Sequence, residues 1–135
     1  MTKLGAAIKT VWDGASSLSS CSVWLGIAPP NTAYPYCVFK EQPNATFKRY
    51  MDGSTEGEYY VEFEIRHTNE STLKTLQEAL HTAFDNARPT MSSPTRCQGF
   101  LRQGDYIKSD EVDASAGSVT VYVAVSKYKV FVEYP

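Results

Sequence analysis

Two histidines are the side chains in this sequence best suited to acid–base chemistry or metal binding. His81 precedes Asp85 by one turn of a predicted helix, and such a pair can hold a metal ion or orient an imidazole as a base. No third ligand stands at a suitable spacing nearby in the sequence, so a solvated helix face is the simpler interpretation. His67 closes a predicted strand, where we expect it to be half-buried. The sequence therefore predicts no metal site.

Carboxylates occur in two groups. Glu62 and Glu64 are two residues apart on a predicted strand, so both point to the same side, as a glycosidase pair would require. Groups that would raise the pKa of either carboxyl are not evident, and we interpret both as outward-facing acids. The densest acidic patch lacks the regular spacing of a calcium loop, and we expect a charged surface loop there. It comprises Asp105, Asp110, Glu111 and Asp113.

Sequence motifs for nucleophilic catalysis and nucleotide binding are absent. The chain contains no Gly-x-Ser-x-Gly, no Gly-x-Gly-x-x-Gly and no P-loop. Cys21, Cys37 and Cys97 are widely spaced and odd in number, which favours reduced thiols in a cytoplasmic protein. We therefore expect neither an enzyme nor a cofactor. A triad that assembles only in space leaves an enzyme or a small ligand-binding α+β domain as the alternative.

The composition is that of one globular domain covering residues 1–135. The chain is 42% hydrophobic and 21% charged, which is enough apolar material for a core without disulfide or metal staples. A net charge of −2 disfavours a dedicated nucleic-acid-binding protein, which would carry a basic stripe. The sequence shows no apolar run long enough to span a membrane, and we expect no membrane partner.

Two helices are predicted from apolar residues at helical spacing. The first has the stripe Leu4, Ala7, Ile8, Val11 and Trp12 and ends near Gly14. The second begins at a capping residue, Asn69 or Ser71, and ends at Pro89. Its apolar stripe is Leu73, Leu76, Leu80, Ala83, Phe84 and Ala87. Its solvent-facing side, or wet side, is Lys74, Gln77, Glu78, His81 and Asp85.

Alternating residues predict the strands. A short strand covers 21–27 and stops at Pro29-Pro30, and a second begins at Tyr36. The strongest covers 59–67, with Tyr59, Val61, Phe63, Ile65 and His67 on one face and Tyr60, Glu62, Glu64 and Arg66 on the other.

The remaining segments leave more than one interpretation. Residues 43–57 are either a further strand with a turn at 52–54 or a mobile loop, and 108–118 is interpreted as a turn or a flexible loop. A strand is expected around 99–102. In the last strand the apolar phase changes after Lys127, which indicates a bulge or a tail that docks elsewhere. The order predicts an α+β fold, a mostly antiparallel or mixed sheet with two main helices packed on one face.

Nine tyrosines are the unusual feature of the composition. Tyrosine fills sheet surfaces, but it is also enriched at protein–protein interfaces. Tyr60 and Tyr122 are predicted to share faces with polar residues and are the better interface candidates among them. The full set of candidate subunit or partner interface residues is Phe47, Arg49, Tyr50, Tyr60, Glu62, Glu64, Tyr122 and Tyr134.

The chain resembles the bacteriophage tail-completion or tail-terminator proteins, which join tail to head. The similar features are the N-terminal amphipathic helix, the path from Ala28-Pro29-Pro30 to Tyr34-Pro35-Tyr36-Cys37-Val38-Phe39, and the alternating strand 59–67. Thr68-Asn69-Glu70-Ser71 then leads into a helix with Leu73, Leu76 and Leu80, followed by a last β section.

The resemblance implies a structural virion protein whose subunits close into a ring, usually a hexamer. Such a ring would stack on the last ring of the tail tube, stop its growth and face the head–tail connector protein. DNA would pass through the lumen without specific binding, and the ring would assemble in the host cytoplasm and reside in the virion tail or neck. Other neck proteins, such as head-closure proteins, remain alternatives. Loops 43–57 and 108–118 would become ordered on docking.

Overall fold

The structure, a computed structural model, describes residues 3–53, 55–91, 95–114 and 117–134, and only the backbone of 43–48, 111–114 and 117–118. Two helices and five strands form within these ranges. They are α1 (Lys3–Gly14), β1 (Ser22–Leu25), β2 (Tyr36–Arg49), β3 (Thr55–His67), α2 (Glu70–Phe84), β4 (Arg96–Ala114) and β5 (Gly117–Tyr134). None of the helices in the described ranges has the length and apolar character needed to cross a membrane.

The five strands form one mixed sheet in the order β1-β2-β3-β5-β4. β1 runs parallel to β2, and the other neighbours are antiparallel. The short β1 and the long β4 are therefore the two edges. This arrangement confirms the predicted α+β fold with a mixed sheet.

α1 forms where its apolar stripe was predicted, because that stripe faces the sheet. Leu4, Ala7, Ile8 and Trp12 are buried. The indole N–H of Trp12 donates to the carbonyl of Cys21 at 2.9 Å, and its ring stacks against Phe63 with centroids 6.4 Å apart. The helix is thereby tied both to the start of β1 and to the middle of the sheet.

α2 begins at one of the two predicted caps. The side chain of Asn69 accepts a hydrogen bond from the backbone N–H of Thr72 at 3.0 Å, as an N-cap does. The helix ends at Phe84, earlier than Pro89, because Asn86 adopts a left-handed conformation with φ 60°. The expectation that Pro89 ends the helix was wrong. Ala87, which was expected in the apolar stripe, lies beyond the end of the helix.

An aromatic cluster fills the space between the helices and the sheet. Phe63 of β3 lies at its centre, with ring centroids 4.8 Å from Phe84, 5.8 Å from Tyr128 and 5.9 Å from Phe39. All four side chains are almost completely buried. Removing an aromatic ring from such a site costs about 3–5 kcal/mol, so this cluster dominates the stability of the fold.

β5 is apolar on both sides, which explains the change of apolar phase in its sequence. Its even-numbered residues share a side with the core residues of β3, and the register between the two strands is unbroken. Val121, Val123 and Val125 are buried too, although their register puts them on the opposite side. The apolar phase changes because β5 has buried residues on both sides as far as Ser126 and only on the helix side from Lys127 onward.

The predicted bulge in β5 is wrong, and the extra residues belong to its partner. β4 carries two register shifts, at Gln98 and at Gln103. Gln103 lies opposite the step between Lys127 and Tyr128, where the phase changes in β5. The irregularity is thus at the expected level of the sheet but in the neighbouring strand.

The segments expected to be mobile have paired backbones in the described ranges. β2 continues to Arg49 and pairs with β3, with a turn in which Gly53 donates to the carbonyl of Tyr50 at 3.0 Å. This supports the strand alternative for 43–57. Of the two alternatives for 108–118, a turn or a flexible loop, the flexible loop was wrong, since β4 and β5 pair there as a hairpin as far as Ala114 and Gly117. Ser54, Ser115 and Ala116 lie outside the described residues.

Candidate functional site

The sheet has two different faces. One is covered by α1 and α2, and the other, which we call the outer face, is not packed against either helix. Residues directly opposite each other on neighbouring strands share a face, so the register assigns each side chain. The outer face carries Trp24, Tyr36, Val38, Lys40, Gln42, Tyr60, Glu62, Glu64, Arg66, Leu101, Tyr106, Lys108, Val121, Val123, Val125, Lys127, Lys129 and Phe131.

Three of the predicted interface residues come together on this outer face. Tyr60 is 43% exposed, and Glu62 and Glu64 follow it at alternate positions of β3. Glu64 accepts a charged hydrogen bond from Arg66 at 3.3 Å. Their strand alternation places them together, as the sequence predicted.

The other predicted interface residues lie elsewhere. Tyr122 and Tyr134 are half-buried on the helix side, where the Tyr134 hydroxyl meets that of Tyr59 at 2.5 Å. Burial, and after it this hydrogen bond, raises the pKa of Tyr134. Arg49 and Tyr50 are exposed at the β2–β3 turn. The side chain of Phe47 lies outside the described residues, and its backbone pairs with Gly57.

At the β2–β3 turn, Tyr50 contacts an acid of β3. Its hydroxyl donates to Glu56 at 2.7 Å. This hydrogen bond raises the pKa of Tyr50, because the protonated phenol is the form that donates. The contact ties the turn to the strand that follows it.

Charges of both signs alternate across the outer face. Glu62 stands in register between Lys40 of β2 and Lys127 of β5. These three side chains, with Gln42 and Tyr60, line a groove of about 240 Å³. A larger concavity of about 670 Å³ lies beside it, between residues 26–32 and the strand ends at Tyr36 and Arg66.

Exposed apolar side chains accompany these charges. Leu101 is 51% exposed and Tyr106 is 48% exposed, both on the outer face near the β4 edge. Lys127 lies over the ring of Tyr106, with its ammonium 5.9 Å from the centroid. Aromatic and aliphatic side chains that stay partly exposed beside charges are characteristic of protein-binding surfaces.

His81 takes part in a polar network between α2, β4 and β5. Its Nε2 lies 2.9 Å from the Ser126 hydroxyl, and Arg102 donates to its Nδ1. Since the guanidinium can only donate, Nδ1 accepts and Nε2 carries the proton that goes to Ser126. Burial lowers the pKa of His81, and the charge of Arg102 lowers it further.

Asp85 joins the same network through Arg102 and Tyr128. It accepts a hydrogen bond from the Tyr128 hydroxyl at 2.7 Å and lies 3.5 Å from the Arg102 guanidinium. His81 and Asp85 are thus linked through the Arg102 guanidinium, which is not the solvated helix face that the sequence suggested. Among the described residues no group of three or more metal-binding side chains is present.

This network connects α2 to the sheet, and we call it the joint. A serine nucleophile needs an imidazole lone pair facing it, but here the imidazole N–H faces Ser126, which is fully buried. Gln77, expected on the wet side of α2, is buried and also donates to the Ser126 hydroxyl at 3.4 Å. The sequence signal for this joint is Ser126, a polar residue that directly follows the apolar run from Val121 to Val125 in β5.

The three cysteines are free and buried. Burial raises the pKa of Cys21 to about 12 and also raises those of Cys37 and Cys97. Thiols held protonated in this way are poor nucleophiles, and they pack here as small apolar side chains.

No protein-family model matches the chain, and a search of curated proteins finds no sequence relative. The fold, in contrast, is similar to a chain in the structure of the virion of a native gene transfer agent (GTA) particle. The TM-score is 0.69, and the match covers 98% of this chain and 96% of that chain at 14% sequence identity. The two chains therefore share one fold along almost their whole length, although few of their aligned residues are identical.

Proposed function

We propose that this protein is a structural component of a tailed bacteriophage or of a related phage-like particle. In this role it forms a ring, a hexamer, that terminates the tail tube and joins it to the head connector. DNA passes through the lumen of the ring without specific binding. The protein acts without catalysis and without a cofactor.

The observation that carries this proposal is the fold shared with the virion chain, at a TM-score of 0.69 over 98% of the residues. The sequence features described above support the same assignment, since the path from Ala28 to Phe39 and the alternating strand β3 resemble tail-terminator proteins. A virion protein also needs partners, and the outer face offers exposed apolar side chains beside charges.

The two edges and two faces of the sheet suit a ring. A cyclic assembly repeats one heterologous contact until it closes, so each subunit needs two different complementary surfaces. The edges differ here, because β1 has 4 residues and β4 has 19. The faces differ as well, because the helices cover only one.

The proposal is tested by incubating the purified protein with the tail-tube protein from the same genome and examining the product by electron microscopy. The expected result is tubes of limited length, capped at one end by a ring of this protein. The control variant is Thr82→Ala, which changes an exposed residue of α2 on the side of the molecule opposite the outer face. This variant should cap equally well.

Two outcomes would contradict the terminator role. If the protein leaves tube growth unchanged but binds purified head or connector particles, it is a different neck protein. If it binds neither, the virion assignment itself fails. Antibody labelling of purified particles provides an independent readout, since the label should appear at the head–tail junction.

A further inference from the structure

The β4–β5 hairpin continues beyond the rest of the sheet. The pairing of β3 with β5 ends at His67 and Tyr122, whereas β4 and β5 remain paired as far as Ala114 and Gly117. We call residues 110–114 and 117–121 the arm. Five residues on each strand extend it by about 17 Å past the end of β3.

A two-stranded ribbon of this kind is marginally stable in water unless a further surface supports it. The register divides the arm into two sides. Val119 and Val121 share one side with the positions of Asp110 and Val112, and Thr120 lies on the other side. Val119 at its outer part is 38% exposed, whereas Val121 at its base is already buried, with 1% exposed. The valine side is continuous with the outer face, so it is directed away from the helices of its own subunit.

The arm is acidic. Residues 109–121 contain Asp110, Glu111 and Asp113 and no Lys, Arg or His. Of these acids, Asp110 stands opposite Val121 and so lies on the valine side. An acceptor for the valine side should therefore combine apolar surface with positive charge.

The groove on the outer face has this combination. Lys40 and Lys127 line it on either side of Glu62, with the ring of Tyr60 beside them. Neither lysine is in an ion pair with a described side chain, whereas the neighbouring Lys129 is paired with Glu58 at 3.3 Å. The groove thus has two cations for one carboxylate and an aromatic wall.

We propose that the arm of one copy of this protein docks with its valine side on the outer-face groove of the next copy. Val119 would pack against Tyr60, and Asp110 would approach Lys127. The contact is heterologous, because arm and groove are different surfaces of the same chain, and repetition leads to a closed ring or an open filament. The inference names the subunit contact of the ring proposed above and rests on that proposal.

Crosslinking between two variants tests the contact. One variant carries Val119→Cys and the other carries Gln42→Cys, an exposed position at the groove. The three native cysteines are buried and remain in place. Under mild oxidation the mixture should form a heterodimeric disulfide at least about tenfold faster than either variant alone forms a homodimer. The reason is that the docked contact holds the two introduced cysteines together, whereas other cysteine pairs meet only by collision.

The matched control replaces Thr120, the exposed neighbour on the opposite side of the arm, in the variant Thr120→Cys. Its crosslinking to Gln42→Cys should be about tenfold slower. The experiment is run on the protein alone and with tail-tube protein present. Equal rates for positions 119 and 120, faster self-crosslinking of Val119→Cys, or no crosslink under either condition would overturn the inference.

Charge reversal provides a second test. Lys127→Glu and Asp110→Lys should each weaken self-association about tenfold, and the double variant should recover most of the loss. Lys74→Glu on α2 is the charge-matched control and should leave self-association unchanged. Failure of the double variant to recover would count against the pairing.

The failures of the two proposals can be told apart. If tubes are capped but the crosslink is absent, the arm contact is wrong and the terminator role stands. If the crosslink forms but tubes are not capped, the protein self-associates through the arm and has a different partner.

Discussion

The two faces of the sheet differ in how far their aromatic side chains are exposed to solvent. On the helix side, Phe63 and Tyr128 are fully buried and make ring contacts with their neighbours. On the outer face, Tyr60 and Tyr106 remain nearly half exposed beside lysines. The same strands thus supply both the stability of the subunit and a surface available to partners. Residues on the two faces should therefore respond differently to substitution.

The largest expected effect is on the helix side. Phe63→Ala should lower the free energy of unfolding by about 3–5 kcal/mol, because it removes the ring at the centre of the aromatic cluster. Chemical denaturation followed by circular dichroism measures this loss. A loss below about 1 kcal/mol would mean that the cluster can collapse into the space and that the two faces differ less than the packing indicates.

A smaller effect is expected at the joint between α2 and the sheet. Tyr128→Phe keeps the ring in the core but removes the hydroxyl that donates to Asp85. Since Asp85 retains Arg102 and some water, the loss should be about 1 kcal/mol. Asp85→Asn should reduce stability by a similar amount, and the double variant should lose less than the sum of the two. Additive losses would show that the hydroxyl and carboxylate do not interact.

The joint should also make stability depend on pH. His81 has its pKa lowered in the folded state, so the unfolded chain binds its proton more readily. The contribution of His81 to the free energy of unfolding is therefore fully present above pH 6.5, the ordinary pKa of histidine. It is lost as the pH falls through the lowered pKa of the folded state. Unfolding measured between pH 5 and 8 should show this loss in the native protein but not in His81→Gln, with the carboxylates common to both. Parallel pH curves would contradict the lowered pKa of His81 in the folded state.

The smallest effect on stability is expected on the outer face. Leu101→Ser replaces a side chain that is half exposed, and the free energy of unfolding should change by no more than about 0.5 kcal/mol. Capping of tail tubes or self-association should nevertheless weaken if this face binds partners. A variant that loses stability but keeps assembly would reverse the roles assigned to the two faces.

The helices and the central strand were predictable because each carries a one-sided pattern. α1 and β3 show clean helical and alternating spacings, and these patterns indicated most of their buried residues. The segments 43–57 and 108–118 were harder to interpret because small, polar and acidic residues occur in loops and in exposed strands alike. Both segments pair within hairpins, with Arg49 opposite Thr55 and Ala114 opposite Gly117, and neither carries the one-sided apolar pattern by which a strand is recognised.

The candidate site was predictable only in part. Tyr60, Glu62 and Glu64 share a face because alternation is a local property of the strand. Tyr122 and Tyr134 could not be assigned in the same way, since β5 is apolar on both sides. The roles of Gln77 and His81 were missed because a polar residue on a helix is usually solvated, and nothing local shows that Ser126 lies opposite.

The sequence by itself determined the α+β class, the helices that precede β1 and follow β3, and the alternation of β3. These features follow from the spacing of apolar residues along the chain. It also showed that motifs for catalysis and nucleotide binding are absent. The tertiary structure decided the strand order, the position of the bulges in β4, the polar joint at Ser126 and the projecting arm. The strand order and the joint depend on contacts between residues far apart in the sequence, and the arm depends on the length of a hairpin that no one-sided apolar pattern marks.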